Sequence, residues 1–302
     1  MNSSPHSPLR RSASVSSTII IALLIAGCSA PTADGSPKAD EPTMDPVSEA
    51  VALLPDDMQE GGTLRVAIPT NEPPTQFYRE GTQEMTGINP DIARLLAGAL
   101  GLELEIEVTT FDTIIPGMSA GRYDMTVSSM TPTEERMEQL DFVDYVQMGS
   151  ALAVPTGNPQ KIGFDGLCGT RVAVLKGSYQ LTVNVPELDD ACTAAGEDPL
   201  ELLQFQDTRQ AISALLSDRA DVVYADSPIL GYAVAQDSKL EVSDENDFAP
   251  VAVGIPHDAG TLDAVAAALA AVIASSEYQD VLAEYGLESM AITEARVNVP
   301  QG

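Results

Sequence analysis

Hydrophobic and polar residues follow two different periods in the chain after residue 62. Residues 63–68 form an apolar run of strand length, and a helical repeat begins after Asn89, which offers an N-cap before Pro90. The repeat ends at Gly101, and its apolar positions are Ile92, Leu95, Leu96, Ala99 and Leu100. Residues 102–108 then alternate between apolar residues and glutamate, the period of a strand with one solvated face. The pattern predicts a β-α-β unit and an open, mostly parallel α/β sheet.

A short α/β unit occurs twice, and the spacing from Asp124 to Asp221 gives the offset of 97 residues. In each copy a helical stretch is followed by a four-residue turn and a strand, and the turns read Gly-Arg-Tyr-Asp and Asp-Arg-Ala-Asp. Arg122 matches Arg219 in this alignment. The repeat predicts two similar lobes. Ligands of open α/β sheets bind beyond the carboxyl ends of the strands, which here are residues 128–131 and 226–227, so we expect a site between the lobes.

Charge and composition exclude several function classes. The 302 residues include 15 Lys and Arg against 45 Asp and Glu, and the resulting net charge of −30 repels nucleic acid and anionic lipid. With His6 and His257 as the two histidines, a catalytic triad would depend on His257, and a multi-histidine metal site cannot form. Three cysteines are too few for a four-cysteine zinc site. We therefore expect no metal, no cofactor and no nucleic-acid partner.

The N-terminal segment has the features of an export signal. Arg10 and Arg11 precede the apolar residues 19–26, a run too short to anchor in a bilayer. Residues 24–28, Leu-Ile-Ala-Gly-Cys, resemble a bacterial lipobox, which predicts a signal peptide over 1–27 and a lipidated Cys28. Residues 28–61 are rich in Pro, Ser, Ala and acids and predict a tether, within which 47–54 is either a short docking helix or plain linker. The expected location is extracytoplasmic, with a lipid anchor on the outer face of the membrane.

Seven motifs in register resemble the family 3 extracellular solute-binding proteins, the polar-amino-acid receptors of bacterial ABC importers. They lie at residues 87–93, 111–117, 121–124, 128–136, 141–142, 176–178 and 221–228, and the Gly-Ile-Asn-Pro-Asp variant is similar to actinobacterial members. The resemblance implies a two-lobed Venus flytrap, the type II periplasmic-binding-protein fold, with a mixed, mostly parallel sheet in each lobe. Lobe 1 would comprise 62–150 and 256–302, lobe 2 would comprise 157–247, and the hinge crossings would lie at 151–156 and 248–255.

The same resemblance implies a site for the two charges of an α-amino acid. Arg136 would bind the α-carboxylate, because a planar guanidinium fixes both charge and orientation, and Asp226 would bind the α-ammonium. Neighbouring contributions would come from Ser128, Met130, Thr131, Gly177 and Ser178. The alternatives are that Arg136 is a surface helix residue paired with Glu134 or Glu135, and that Asp226 only caps the following helix.

Side-chain specificity depends on the loop after the first strand, residues 69–77, which ends at Phe77. Asn71, Glu72 and Thr75 stand where the family often has Asp, an aromatic residue and Phe. Phe111 keeps an aromatic wall and Tyr179 offers another. Glu72 would meet a cation or an amide directly, which favours a polar or cationic amino acid. The alternative is that Glu72 points to solvent.

Cys168 and Cys192 predict a disulfide, because an exported protein meets oxidising conditions and lipidation of Cys28 leaves an even number of thiols. Two buried thiols are the alternative.

The resemblance implies a monomeric receptor, not an enzyme, that delivers an amino acid to permease subunits of an ABC importer. Two other function classes stay open. Cyclohexadienyl dehydratases use the same fold, and Glu72 would then be the acid. A ligand-sensing module acting in trans is the other alternative.

Overall fold

The structure is a computed structural model, and it describes residues 41–59 and 62–301, without the side chain of Asp247. The predicted signal peptide, Cys28 and the first part of the predicted tether lie outside the described residues. Two short helices come first, α1 (Ser48–Ala52) and α2 (Asp56–Gln59). Of the two interpretations of residues 47–54, the structure has the docking helix: Ala50 is buried, and the N–H of Val47 donates to the carbonyl of Ala99 over 2.8 Å.

The following elements form the first half of the body. They are β1 (Thr63–Ile68), β2 (Phe77–Tyr78), β3 (Met85–Thr86), α3 (Ile88–Leu100), β4 (Glu103–Val108), α4 (Ile114–Ser119), β5 (Met125–Met130), α5 (Glu134–Met137) and β6 (Leu140–Pro155). The second half comprises β7 (Arg171–Leu175), α6 (Val185–Ala195), β8 (Glu201–Phe205), α7 (Thr208–Leu216), β9 (Val222–Asp226), α8 (Ser227–Gln236), β10 (Leu240–Pro256), α9 (Leu262–Ile273) and α10 (Ser276–Glu284).

One eight-stranded mixed sheet joins the two halves in the order β4-β1-β5-β10-β6-β9-β7-β8. Pairing is parallel between β1 and its neighbours β4 and β5, and between β7 and its neighbours β8 and β9. The two long strands β6 and β10 are antiparallel to each other and run through both halves. This is the predicted α/β class with a mostly parallel sheet in each lobe.

The two long strands have different outer neighbours. β6 pairs with β9 from Ser150 to Ala153, whereas β10 pairs with β5 from Ala252 to Gly254. Between these segments the register of β6 and β10 shifts twice, between Asn246 and Ala249 and between Val251 and Ala252. The predicted crossings, 151–156 and 248–255, fall along these two long strands, and their role as hinges stays a prediction.

Each lobe has its own hydrophobic core on both faces of its sheet. Alternate residues of β1 enter two clusters: Leu64, Val66 and Ile68 pack with α3, α9 and α10, and Ala67 packs with Phe111 and α4. The same division occurs in lobe 2, where Val223 and Ala225 lie in one cluster, and Val222 and Tyr224 lie in another. Successive residues of a strand point to opposite faces, so each sheet is covered on both sides.

The helix predicted after Asn89 forms as α3, but its N-cap is Gly87 and the prediction of Asn89 as N-cap is wrong. The helix begins at Ile88, and Gly87 has a φ of 117°. The N–H groups of Ile88 and Asn89 donate to the carbonyls of Pro74 and Thr75, so backbone atoms of an earlier loop satisfy the helix start. The side chain of Asn89 is therefore free for other partners.

The internal repeat appears in space as two equivalent Arg–Asp pairs. In lobe 1 the Arg65 guanidinium donates from Nη2 to Asp124 Oδ1 over 2.6 Å, and its backbone N–H donates to Asp124 Oδ2 over 2.8 Å. In lobe 2 the same two bonds join Arg171 to Asp221, each over 2.8 Å. Asp124 and Asp221 are the aspartates matched in the sequence. We call these two pairs the Arg–Asp clasps.

The expected disulfide between Cys168 and Cys192 is present and ties the start of lobe 2 to α6. Within residues 41–59 and 62–301, no single helix has both the length and the apolarity to cross a membrane, although the bent pair α9–α10 passes on length and composition.

Candidate functional site

A cavity lies between the lobes at the carboxyl ends of β5, β7 and β9. Its empty space of about 380 Å³ includes space open to solvent, and the part that the centre of a water-sized sphere can occupy is about 20 Å³, so the cavity is narrow as it stands. Its lining residues are Glu72, Phe111, Ser128, Ser129, Thr131, Arg136, Leu175, Ser178, Tyr179, Gln180, Thr208, Ala225, Asp226 and Ile229. Among the described residues, no group of three or more His, Cys, Asp or Glu side chains is placed to hold a metal ion.

Arg136 is fixed in the cavity wall by α5 and by two carbonyl oxygens. Thr133 caps α5 by accepting the N–H of Arg136. The guanidinium donates from Nη1 to the carbonyl of Thr131 over 2.7 Å and from Nη2 to that of Gly177 over 2.8 Å. It also lies over the Phe111 ring, 5.5 Å from the centroid. Three of its five N–H donors remain for an anion.

The environment of Arg136 is buried, with a fractional exposure of 7%. Burial lowers the pKa of Arg136 to about 10, so the guanidinium stays charged at neutral pH. In the described part of the chain it forms no ion pair with Glu134 or Glu135, which distinguishes it from an ordinary surface helix residue. A buried cation with unused donors is suited to a carboxylate.

Asp226 ends β9 and precedes α8. Its side chain makes no capping bond to α8 and instead accepts a hydrogen bond from Gln180 Nε2 over 2.8 Å. Gln180 is held in turn, because the same nitrogen donates to Ser150 Oγ over 2.8 Å. Burial raises the pKa of Asp226 to about 6, so the carboxylate is ionised at neutral pH but would gain from a nearby cation.

Glu72 reaches the cavity from the loop after β1 and has a fractional exposure of 3%, so it does not point to solvent. Its Oε1 accepts from the N–H of Thr208 over 3.2 Å and from Thr208 Oγ1 over 2.7 Å, at the N-terminus of α7. Its Oε2 accepts from Gln76 Nε2 over 2.6 Å. Burial raises the pKa of Glu72 to about 7. A carboxylate accepts about four hydrogen bonds, so one position on Oε2 stays open.

The structure gathers most, but not all, of the predicted site residues. Ser128, Thr131, Phe111, Ser178 and Tyr179 line the cavity together with Arg136, Asp226 and Glu72. Gly177 does not line the cavity and contributes its carbonyl to Arg136. Met130 is buried in the lobe 1 core, and Phe77 lies outside the cavity, with its ring centroid 6.4 Å from that of Tyr232. Cys28 lies outside the described residues.

Six lining residues were not predicted from the sequence: Ser129, Leu175, Gln180, Thr208, Ala225 and Ile229. For Thr208 a signal existed, because Asp207 is an N-cap residue and the following N–H groups of a helix are exposed donors. Ser129 adopts a φ of 53°, which nothing in its neighbours' identity indicates.

Several contacts join the lobes across the cleft. Besides Arg136 with Gly177 and Glu72 with Thr208, Lys176 Nζ lies 2.8 Å from Asp112 Oδ2. Asn71 Nδ2 also donates to Asp207 Oδ2 over 3.3 Å. The lobes are therefore in a closed arrangement, and residues of both lobes line the cavity.

Comparisons with known proteins agree with this fold. The sequence pattern of the bacterial extracellular solute-binding proteins, family 3, matches residues 64–288. The arginine-binding protein ArgT of Corynebacterium glutamicum is 30% identical over 297 residues, which cover 97% of each chain. An ancestral arginine-binding protein bound to arginine superposes with a TM-score of 0.68 at 28% identity, covering 74% of this chain and 98% of that one.

A further structural neighbour is the ancestral amino acid-binding protein AncCDT-1, a precursor of cyclohexadienyl dehydratase. Its TM-score is 0.66 at 27% identity, and the match covers 78% of this chain and 99% of that one. These neighbours have the two-lobed architecture described above, and the relatives named here are binding proteins.

Proposed function

Because this chain belongs to the bacterial extracellular solute-binding proteins of family 3, we propose that it captures a cationic amino acid for an ABC importer. Membership of an extracellular family places the protein outside the cytoplasm. Arginine is the first candidate ligand, since the relative ArgT is named as an arginine-binding protein and matches along nearly the whole chain.

The observation that carries this proposal is the charge of the cavity lining. Its ionisable groups at neutral pH are one cation, Arg136, and two acids, Asp226 and Glu72. A neutral zwitterion would satisfy Arg136 and Asp226 and leave Glu72 without a cation, so Glu72, whose pKa burial raises to about 7, would either take up a proton or remain a costly buried carboxylate. An amino acid with a cationic side chain supplies the second positive charge and neutralises the cavity.

In the proposed complex, Arg136 binds the α-carboxylate with the donors not used by Thr131 and Gly177. Ser128, Thr131 and Ser178 supply hydroxyl groups near it. Asp226 binds the α-ammonium, and Glu72 binds the charged end of the side chain through the open position on Oε2. Phe111 and Tyr179 provide aromatic walls.

Closure of the lobes follows from the origin of these groups. Arg136 and Glu72 belong to lobe 1, whereas Asp226, Ser178 and Tyr179 belong to lobe 2, so a ligand that touches all of them stabilises the closed arrangement. We propose that the bending occurs in β6 and β10, near the register shifts between Asn246 and Ala249 and between Val251 and Ala252. The closed form is the state that the permease would recognise, and the receptor would act as a monomer.

A ligand screen tests the proposal directly. Isothermal titration calorimetry of the full chain in detergent should show binding of arginine or lysine, weaker binding of citrulline or glutamine, and no binding of glutamate. Tight binding of glutamate, or equal affinities for arginine and citrulline, would contradict the assignment of Glu72.

We also propose that Cys28 carries the lipid that holds the protein at the membrane, since residues 24–28 resemble a lipobox and an acidic protein is repelled by anionic lipid. Cys28→Ala should yield an unprocessed or released protein. A Cys28→Ala protein that is still cleaved after Gly27 and stays membrane-bound would rule this out.

A second candidate function rests on the raised pKa of Glu72. A buried carboxyl group that titrates near neutral pH can serve as a general acid, and AncCDT-1 is described as a precursor of a dehydratase. Incubation with prephenate and with arogenate, using Glu72→Gln as the control, separates the two functions. Product formation by the parent protein that disappears in Glu72→Gln would favour the enzyme. If the parent forms no product from either compound, the receptor function is favoured.

A further inference from the structure

A chain of buried polar side chains leads from the cavity into lobe 1. Glu72, Gln76, Asn89 and Tyr145 are each at most 3% exposed. Gln76 Nε2 donates to Glu72 Oε2 over 2.6 Å, Asn89 Nδ2 donates to Gln76 Oε1, and the Tyr145 hydroxyl donates to Asn89 Oδ1. We call Gln76, Asn89 and Tyr145 the Glu72 relay. Of the three, Gln76 is the one that bonds Glu72, and none of them lines the cavity.

The direction of these hydrogen bonds is dictated by Glu72. An ionised carboxylate can only accept, so Gln76 must turn its NH₂ group towards it. The Gln76 carbonyl then needs a donor, which Asn89 supplies with its own NH₂ group. The Asn89 carbonyl needs a donor in turn, which is the hydroxyl of Tyr145. The Tyr145 oxygen finally accepts the N–H of Ser129 over 2.9 Å.

We propose that Gln76, Asn89 and Tyr145 are positioning residues that hold Glu72 as an oriented carboxylate and thereby set the preference of the cavity for a cationic over a neutral side chain. This inference rests on the proposed function, in which Glu72 binds the charge of the ligand's side chain. An aligned row of donors strengthens each bond and favours the charged form of the group at its end.

Glu72 depends on these donors because its surroundings oppose ionisation. Burial is the main cause of its raised pKa, and Asp226 and Asp207 raise it further, while Thr208 lowers it. Arg136 also lines the cavity. Because the pKa lies at about 7, the loss of one donor shifts an appreciable fraction of Glu72 to its neutral form. A neutral Glu72 distinguishes poorly between a charged ligand and an uncharged isostere.

The relay is built into the start of α3. The N–H groups of Ile88 and Asn89 donate to the carbonyls of Pro74 and Thr75, which belong to the loop that carries Glu72 and Gln76. Since Gly87 is the N-cap and the helix start is satisfied by backbone, the Asn89 side chain makes no capping bond. The Asn89 side chain is therefore free to link the loop at residues 69–77, through Gln76, to Tyr145 on β6.

The test compares two ligands that differ mainly in charge. In the full chain, the ratio of the Kd for L-citrulline to the Kd for L-arginine is measured at pH 7.5 by calorimetry. Gln76→Met and Asn89→Leu should each lower this ratio about tenfold, since a hydrogen bond to a charged group is worth at least a factor of ten. The double variant should fall little further, because Asn89 acts through Gln76.

The control is Tyr278→Phe, which removes another fully buried hydroxyl that donates to the backbone of Tyr145 over 2.9 Å but lies outside the relay. It should lower the melting temperature and leave the citrulline-to-arginine ratio at the parental value. If Asn89→Leu does not fold, Tyr145→Phe replaces it, since this change removes one hydroxyl group.

Two outcomes overturn the inference. A parental ratio in Gln76→Met, with both affinities changed equally, would show that the relay has only a structural role. Glu72→Gln distinguishes the role of Glu72 in binding the ligand from the role of the relay in holding Glu72. If Glu72→Gln lowers the ratio and the relay variants do not, the relay fails alone; if Glu72→Gln leaves it unchanged, the proposed role of Glu72 fails as well.

Discussion

Replacing Asp226 with Asn should weaken ligand binding and stabilise the free protein at the same time. Asn keeps the shape of Asp and can still accept the hydrogen bond from Gln180, but it carries no charge. In the complex, the α-ammonium would then lose its ionic partner in an enclosed site. Truncating such a pair costs about 2 to 5 kcal/mol, so the affinity for arginine should fall at least about thirtyfold.

The gain in stability follows from the raised pKa of Asp226. Burial in the closed arrangement moves it from 3.8 to about 6, and at about 1.4 kcal/mol per pKa unit the ionised carboxylate costs that arrangement roughly 3 kcal/mol, which is the upper bound for the ligand-free protein. Because the folded-state pKa is the higher one, stability from proton uptake is present below pH 4 and is lost as the pH rises through 6. Asp226→Asn should therefore be more stable than the parent by up to about 3 kcal/mol at pH 8 and about equal to it below pH 4.

Two measurements check this prediction. Urea unfolding of the ligand-free proteins at pH 4 and pH 8 gives the stability difference, and calorimetry at pH 7.5 and pH 5 gives the affinities. The parent should lose affinity below pH 6, because Asp226 is then protonated before the ligand arrives. Asp190→Asn, an exposed acid of α6 in the same lobe, is the matched control and should change neither quantity. An Asp226→Asn protein with parental affinity for arginine would refute the assignment of the α-ammonium site.

Other substitutions test other parts of the structure. Arg136→Lys keeps the charge but loses the planar fork that bonds Thr131 and Gly177, so calorimetry should show at least about a tenfold loss of arginine affinity; unchanged affinity would exclude the guanidinium as the ligand's partner. Gly87→Ala should lower the melting temperature clearly more than Gly81→Ala. Both glycines have a positive φ, but a Cβ at Gly87 would lie 2.5 Å from the Thr75 carbonyl, whereas a Cβ at Gly81 meets nothing within 4 Å; equal effects would exclude the close contact as the cause. Replacing Cys168 and Cys192 together with Ala should cost roughly 3 kcal/mol in urea unfolding, and a cost near zero would show that the disulfide does not stabilise lobe 2.

The fold was predictable from the sequence where the hydrophobic pattern of one segment determined one helix or one strand. The helical repeat of α3 and the alternation in β4 are local signals, and both elements form as expected. The cap of α3 was mispredicted because Asn before Pro is a common helix start, and the carbonyls that satisfy it come from a loop distant in sequence. The contact of Glu72 with Thr208 spans 136 residues and both lobes, so no local pattern could indicate it.

The Arg–Asp clasps show the same limit. The repeat in the sequence matches Asp124 with Asp221 and Arg122 with Arg219, but it indicates no partner for either aspartate. The true partners are Arg65 and Arg171, whose spacing differs from that of the aspartates, so an alignment with one fixed offset cannot bring them together. Among the residues that line the cavity, Arg136 and Asp226 were predicted through the resemblance, whereas Thr208 and Gln180, which hold Glu72 and Asp226, were missed.

The positions of the clasps also show that the residues that stabilise each lobe are far from the residues that bind the ligand. Arg65 and Arg171 lie near the amino ends of β1 and β7, and Asp124 and Asp221 directly precede β5 and β9, whereas the ligand cavity lies at the opposite ends of these strands. The four residue steps from Asp124 to Ser128 span about 13 Å at the rise of a strand. Substitutions that far apart act almost independently on stability. Substitutions at the cleft can therefore change the ligand in the course of evolution, while the ion pair in each lobe, Arg65–Asp124 or Arg171–Asp221, continues to stabilise the fold of that lobe.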